Sequence, residues 1–312
     1  MIAFSLLDLI AFGALLLFSL SIYFFSRSGN DLAPNNPKAF LAARQRAASA
    51  ARQRAADAAG RGAGGAEQRR PLAVCAGDSI TRGANSADYV SMLSARLKDW
   101  DFVNAGVNAE LAFNLAERIE DIVALEPDAV TVLIGTNDVN ATFGFQAALG
   151  YMAAKRLPER PGPLFFKENL LGIVRTLKRE TGARIALFSM PPIGEEPGHY
   201  AYLRTEEYAA IVREVAAGEG VEYLPLRERI CGYIESLPAG PERPLPFKDF
   251  GRAQLRAGRM QRYLGKSLDE ISAFNRFHVL VDGIHLNTHG ASMAADLAEA
   301  FLKSLRPGRG SP

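Results

Sequence analysis

Residues 72–80, LAVCAGDSI, decide how this chain is read: a short apolar run breaks at a glycine into an acid, a hydroxyl and the start of a new periodic segment. From Pro71 onward the arrangement recurs. Apolar runs stand at 72–76 (LAVCA), 102–105 (FVNA), 129–134 (AVTVLI), 184–190 (RIALFSM) and 221–226 (VEYLPL). Between and after them lie helix-like stretches at about 86–98, 110–125, 165–180, 200–217 and 288–305. Apolar strands that alternate with amphipathic helices predict an open, five-stranded parallel sheet covered on both faces, an α/β architecture. In such a sheet ligands bind beyond the carboxyl ends of the strands. The loops directly after the five runs are therefore the place to look for chemistry.

After the first run, Gly77-Asp78-Ser79-Ile80 puts a hydroxyl at a strand end on a turn into a helix. By itself this is an Asp/Ser turn. After the second, Asn104-Ala105-Gly106-Val107-Asn108 offers a glycine whose backbone N–H a ligand could approach closely. After the third, Ile134-Gly135-Thr136-Asn137-Asp138 offers an amide donor. Together these loops supply fixed donors around a developing oxyanion. Near the C-terminus, Asp282-Gly283-Ile284-His285-Leu286-Asn287 spaces a carboxylate three residues from an imidazole. In a turn, Asp282 can hold one ring nitrogen while the other takes a serine's proton.

These four blocks, in this order, resemble the SGNH hydrolase superfamily, the GDSL-type esterases and lipases. The resemblance runs over residues 71–305 and is carried by GDSI (77–80), NAGVN (104–108), IGTND (134–138) and DGIHLN (282–287). It implies a flavodoxin-like three-layer sandwich and a metal-free, cofactor-free serine hydrolase acting on carboxylic esters through an acyl-enzyme. Ser79 would be the nucleophile and first oxyanion donor, Gly106 and Asn137 the second and third, His285 the base and Asp282 its orienting partner. The departures are Ile80, where the family name has leucine, and Leu286, where many relatives have proline; neither position carries chemistry. The non-enzymatic alternative is a catalytically inactive module of the same fold, but all five positions hold competent residue types.

Two rival chemistries are weaker. Asp282, His285 and His289 include a histidine pair four apart, which binds zinc only if both share a helical face, and the helix is expected to begin at Asn287 or Thr288. A nucleotide or flavin site would require a glycine-rich phosphate loop after the first strand, and neither standard pattern is present. His199, in the loop after the fourth strand, could border the cleft but reads as a surface residue, and Cys75 reads as a small buried hydrophobe. With Cys75 and Cys231 alone, there is no disulfide framework.

The N-terminal quarter differs in kind. Residues 9–25, LIAFGALLLFSLSIYFF, are uncharged and are read, with the preceding turns, as one transmembrane anchor over residues 1–25. A cleaved signal peptide fits less well, because no basic residue precedes the run and Tyr23, Phe24 and Phe25 end it where small residues would be expected. Residues 26–70 carry nine Lys/Arg against three acids and include the Ala/Arg/Gln tract AARQRAASAARQRAADAAGRGAGGAEQRR. Parts of it favour helix, yet it lacks a large apolar stripe and reads as a solvated basic spacer. The hydrolase domain is then 71–312. The whole chain has 312 residues and a formal charge of +2, so residues 71–312 carry −3. Nothing in the total argues for a nucleic-acid partner, which would need a concentrated basic surface. Arg27, Lys38 and Arg44 follow the apolar run and none precede it, which by the positive-inside rule points the domain to the cytoplasmic face; the resemblance to anchored or secreted relatives points outward, and the charge asymmetry, a property of this chain itself, tips the expectation to the cytoplasmic face.

The blocks define the reaction without naming the ester, small-molecule or lipid. Specificity is expected in two long excursions. The first is 139–164, with Phe143, Phe145, Tyr151 and Met152. The second is 238–276, where Leu255, Tyr263, Leu264, Leu268, Ile271 and Phe274 approximate one helical face, expected to pack on the domain rather than to form a mobile lid.

Overall fold

The structure, a computed structural model, describes residues 32–57, 69–238 and 244–305. Five strands, β1 (Leu72–Gly77), β2 (Asp101–Gly106), β3 (Ala129–Leu133), β4 (Arg184–Phe188) and β5 (Glu222–Leu224), form one sheet in the order β2-β1-β3-β4-β5. Every pairing is parallel, and Gly77 at the end of β1 lies level with Gly106 of β2 and Leu133 of β3. The three central strands are buried along almost their whole length, which is why they read as continuous apolar runs rather than alternating ones. Chain direction across the sheet reverses at β1, so the crevice for a ligand opens where β1 and β3 end.

Helices cover both faces. Pro163–Glu180 shows how: Phe166, Leu170, Ile173, Val174 and Leu177 recur at helical spacing and are buried, while Lys178 and Arg179 occupy the last turn. The stretch at 110–125 forms two short helices, Ala112–Glu117 and Ile119–Val123, instead of one. Arg118 lies between them in a non-helical conformation. Its guanidinium pairs with Glu110 at 2.7 Å and donates to the Ala105 carbonyl at 2.8 Å, satisfying a strand end at the cost of helix continuity.

The basic spacer is not wholly solvated. Leu32 bridges antiparallel to Val107, the Asn104 N–H donates to the Asn35 carbonyl, and Ala33, Phe40 and Leu41 pack against the domain. The helix Pro37–Asp57 follows, and Arg44 reaches Glu126 at 3.4 Å. Residues 32–44 thus lie along the outer edge of β2, where they cover an otherwise open strand edge. Among the described residues, packing on the domain is already present at Leu32, ahead of the expected boundary at 71. Asparagine, phenylalanine and leucine at the front of the tract make these contacts; the alanine-rich composition behind them hid the docking.

Among the described residues no helix is long and apolar enough to cross a membrane; the expected anchor over 1–25 lies outside them. The second excursion folds as the helices Phe250–Leu264 and Leu268–Phe274. Their packing departs from the expected inward face. Ile271 is buried and Leu268 half-buried, but Leu255, Tyr263, Leu264 and Phe274 are 53%, 75%, 68% and 58% exposed. The inner side is lined by Ala253 and Ala257 instead, small residues that let the helix lie close to the domain.

Candidate active site

Ser79 opens the one-turn helix Ser79–Arg82 directly after β1. Asp78 caps that turn, its Oδ1 accepting from the Ile80 N–H at 2.9 Å. Gly77 ends the strand and Gly83 closes the turn in the left-handed region, so the hydroxyl is held at the sheet's carboxyl edge. His285 arrives from the loop before the helix Thr288–Ser304. The Ser79 Oγ to His285 Nε2 distance is 3.0 Å, and His285 Nδ1 lies 2.8 Å from Asp282 Oδ2. An ionised carboxylate only accepts, so Nδ1 carries the ring proton and Nε2 is left to accept from the serine.

The Asp-His turn is rigid for local reasons. Asp282 Oδ1 accepts from the N–H groups of Ile284 and His285, and Gly283 turns the chain at φ +96°. A side chain at Gly283 would also collide with the ring of Phe250. Behind the loop, the buried carboxylate of Glu195 accepts from the N–H groups of His278, Val279 and Leu280 at 2.7–2.8 Å. Glu195 is not evident from the sequence: its only local signal is an acid beside an apolar, proline-rich loop, and its partners are more than 80 residues away.

Burial and charge act in opposite directions here. Burial alone would push the Asp282 carboxyl up, yet the His285 ring and three hydrogen bonds hold it below the usual range. Burial disfavours the His285 cation, but the Asp282 carboxylate outweighs that and lifts the imidazole above its ordinary value. Burial raises Asp78 to about 7 and Asp138 to about 8.

Asn137 sits in the first turn after β3, in the helix Thr136–Asn140. Its Nδ2 donates to the Glu110 carbonyl at 3.0 Å and to Asp78 Oδ2 at 3.3 Å, while its Oδ1 accepts from the Tyr151 hydroxyl at 2.8 Å. Tyr151 in turn accepts from Asn140 Nδ2 at 3.0 Å and is 3% exposed. Two acceptors on one side and a hydroxyl donor on the other fix which way the amide points. Tyr151 comes from the first excursion, where it was grouped with candidate specificity residues; the structure makes it the partner of the amide.

Gly106 packs more closely than a free loop glycine. A Cβ there would lie 2.2 Å from the Arg82 nitrogen, so its absence lets β2 meet the Ser79–Arg82 turn. Its N–H donates to Asn104 Oδ1 at 3.0 Å. Further along the loop, Ala109 is left-handed at φ +56°, and its N–H has no partner among the described residues. Glu110, whose carbonyl receives the Asn137 amide, is the next residue.

The excursions meet in an aromatic wall. Phe143 from the first packs edge-on against Phe247 from the second, at 5.0 Å between ring centroids, and against Tyr200. His199 lies 5.2 Å from Phe247, which continues into Phe250 and so to Gly283. Thr142, Phe143, Tyr200, Leu203, Arg204 and Glu207 line an open groove of about 610 Å³. The ring of His289 packs at a tilt against Tyr233, 4.7 Å between centroids, and both nitrogens of His285 are already committed to Ser79 and Asp282. Cys75 is buried at the centre of β1.

A parallel sheet with serine, histidine and aspartate hydrogen-bonded in series at its carboxyl edge is the architecture of an esterase-type hydrolase. The sequence matches the model of the GDSL-like lipase/acylhydrolase family over residues 75–292, and the chain belongs to that family of ester-hydrolysing enzymes. No curated protein matches it. Among solved structures it resembles an α/β hydrolase from the metagenome of Lake Arreo, Spain, at 19% identity and TM-score 0.54, over 77% of this chain and 99% of that one. It also resembles an acetyl-xylooligosaccharide esterase of Geobacillus stearothermophilus in its R55A variant, at 18% identity and TM-score 0.53, over 75% and 93%. A third is an acetyl xylan esterase at 18% identity and TM-score 0.51, over 75% and 100%. At these identities the likeness is one of fold.

Proposed function

We propose that the protein is a serine esterase that cleaves carboxylic esters through an acyl-enzyme on Ser79. The observation that carries this reading is the unbroken series Ser79 Oγ, His285 Nε2, His285 Nδ1 and Asp282 Oδ2, with both contacts at 3.0 Å or less. Ser79 Oγ attacks the ester carbonyl as its proton passes to His285 Nε2. The tetrahedral intermediate collapses, and the imidazolium returns the proton to the departing alcohol. A water molecule then attacks the acyl-serine by the same base, releasing the acid and restoring the hydroxyl.

The oxyanion is received by the Ser79 N–H, at the open start of its turn, and by Asn137 Nδ2, whose longer bond to Asp78 is exchanged for the oxyanion. For the donor from the loop after β2 we assign the Ala109 N–H rather than that of Gly106, because the latter is engaged by Asn104. Ser79 is only 7% exposed, which favours a small acyl group, and the aromatic wall from Phe250 to Phe143 suits the faces of an alcohol portion with rings. An acetylated carbohydrate meets both demands, in keeping with what two of the structural neighbours are named for. Residues 1–25 tether the enzyme to a membrane in this proposal, on the strength of the uncharged run 9–25.

A fluorophosphonate probe should label the wild type and leave Ser79→Ala unlabelled. Labelling of neither overturns the acyl-enzyme. Faster hydrolysis of p-nitrophenyl octanoate than of the acetate overturns the small-acyl assignment.

A further inference from the structure

The helix Phe250–Leu264 has an outer face that the reaction does not use. Arg252, Leu255, Arg259, Arg262 and Tyr263 fall at helical spacing on one arc, and all are exposed. Leu264 and Phe274, the last residues of this helix and the next, are exposed as well. Elsewhere on the domain most arginines answer an acid: Arg44, Arg69, Arg70, Arg96, Arg175 and Arg213 are all in ion pairs. Arg252, Arg259 and Arg262 have none among the described residues. Between residues 250 and 266 the chain has no Asp or Glu. The face is therefore both basic and apolar, with leucine and tyrosine interleaved among unpaired guanidinium groups.

We infer that this face seats on the surface of an anionic lipid bilayer, with Leu255, Tyr263, Leu264 and Phe274 entering the headgroup region and Arg252, Arg259 and Arg262 paired with lipid phosphates. Guanidinium groups without acids match a negatively charged surface, and the exposed apolar side chains need the boundary region that a bilayer offers and a soluble polyanion does not. Tyrosine and arginine are suited to that depth, with an apolar body and a polar tip. The apolar run 9–25 is an independent feature of the same chain that calls for a bilayer. The inference rests on the membrane tether proposed above but not on the esterase reaction.

The inner side of the same helix touches the site. Phe250, at the start of this helix, packs on Gly283 between Asp282 and His285, and Gln261 donates to the Ala84 carbonyl in the loop after the nucleophile turn. Seating the helix on lipid therefore fixes the orientation of the cleft mouth relative to the bilayer.

The test is lipid contact in the full chain reconstituted into vesicles. Cys75 and Cys231 are buried, so a fluorophore can be placed on Leu255→Cys or Tyr263→Cys, with Glu180→Cys as a control at the C-terminal end of a distant helix. Spin-labelled lipid in phosphatidylcholine/phosphatidylglycerol vesicles should quench the first two about twofold or more and spare the control. The triple variant Arg252→Glu/Arg259→Glu/Arg262→Glu should lose that quenching while Ser79 still takes the fluorophosphonate probe. Association with vesicles without quenching at Leu255 overturns the docking face alone, as it would if a second copy or residues 9–25 covered it. Equal quenching in pure phosphatidylcholine, or in the triple variant, overturns the role of the arginines. Failure to associate with any vesicle overturns tether and face together.

Discussion

Removing one hydroxyl, in Tyr151→Phe, isolates the contribution of the amide's support from that of the amide itself. The ring stays and the buried volume barely changes, but Asn137 Oδ1 loses its 2.8 Å donor and Asn140 Nδ2 its 3.0 Å acceptor. At 3% exposure water cannot replace the hydroxyl, so the buried Asn137 Oδ1 loses its partner at a stability cost of about 1–3 kcal/mol, while the half-buried Asn140 amide can turn to solvent. The catalytic cost is smaller than deletion of the donor. Asn137→Ala should lower kcat by roughly 10² to 10³ while leaving KM comparatively intact. Loss of one orienting hydrogen bond, at about 0.5–1.5 kcal/mol, corresponds to a kcat lower by roughly 2- to 12-fold. Initial rates with p-nitrophenyl acetate and a urea midpoint for each variant give both numbers. The decisive variant is Asn137→Ala/Tyr151→Phe. If the hydroxyl acts only through the amide, the double variant is no slower than Asn137→Ala. A double variant slower by the product of the two single effects would refute the reasoning, as would a Tyr151→Phe whose KM changes while kcat does not.

Three further outcomes are expected. His285→Ala and Asp282→Ala should both reduce turnover, the histidine change more severely because it removes the proton acceptor; in the wild type kcat/KM should fall with acid at a midpoint above about 6.5, since His285 is held above its ordinary value. Asp78 and Asp138 are raised by burial to about 7 and about 8, so the folded state binds more protons than the unfolded one from about pH 4 upward. Their contribution to stability is full below the unfolded value and is lost as pH rises through the folded values; the urea midpoint should therefore decline between about pH 5 and pH 9, less steeply in Asp138→Asn, and an unchanged slope would contradict the burial argument. Protease added to intact spheroplasts should spare the domain if the positive-inside rule governs the chain, and digestion without lysis would place it outside.

The sheet was legible because a parallel strand covered on both faces must be apolar along its length, as LAVCA and AVTVLI are. Ser79, Asn137, Asp282 and His285 were legible because each stands close after a strand or just before a helix, where local sequence carries the signal. Tyr151, Glu195 and Ala109 were not. Tyr151 and Glu195 meet partners 14 and more than 80 residues away, and Ala109 takes a left-handed conformation that nothing in its neighbours announces. The outward face at 255–274 shows a different limit. Spacing told which residues share a side of the helix but not which side the domain would choose, and Ala253 and Ala257 won because close approach favours small residues. At 32–44 a few larger residues in an alanine-rich tract were enough for docking.

That docked segment changes the length of the leash. A free spacer over 26–70 would let the catalytic domain roam on the order of 150 Å from its anchor when extended, at about 3.3 Å per residue. With Leu32 paired to Val107, only residues 26–31 remain between the proposed anchor and the folded body. Six residues reach roughly 20 Å at most. Under the proposed tether the enzyme would have a fixed stature, confined to esters that lie in, or diffuse through, a layer about one protein diameter deep. Lengthening residues 26–31 with a flexible insert would extend the height of that layer without touching the site, whereas the same insert at 58–68, behind the docked helix, would leave the height unchanged.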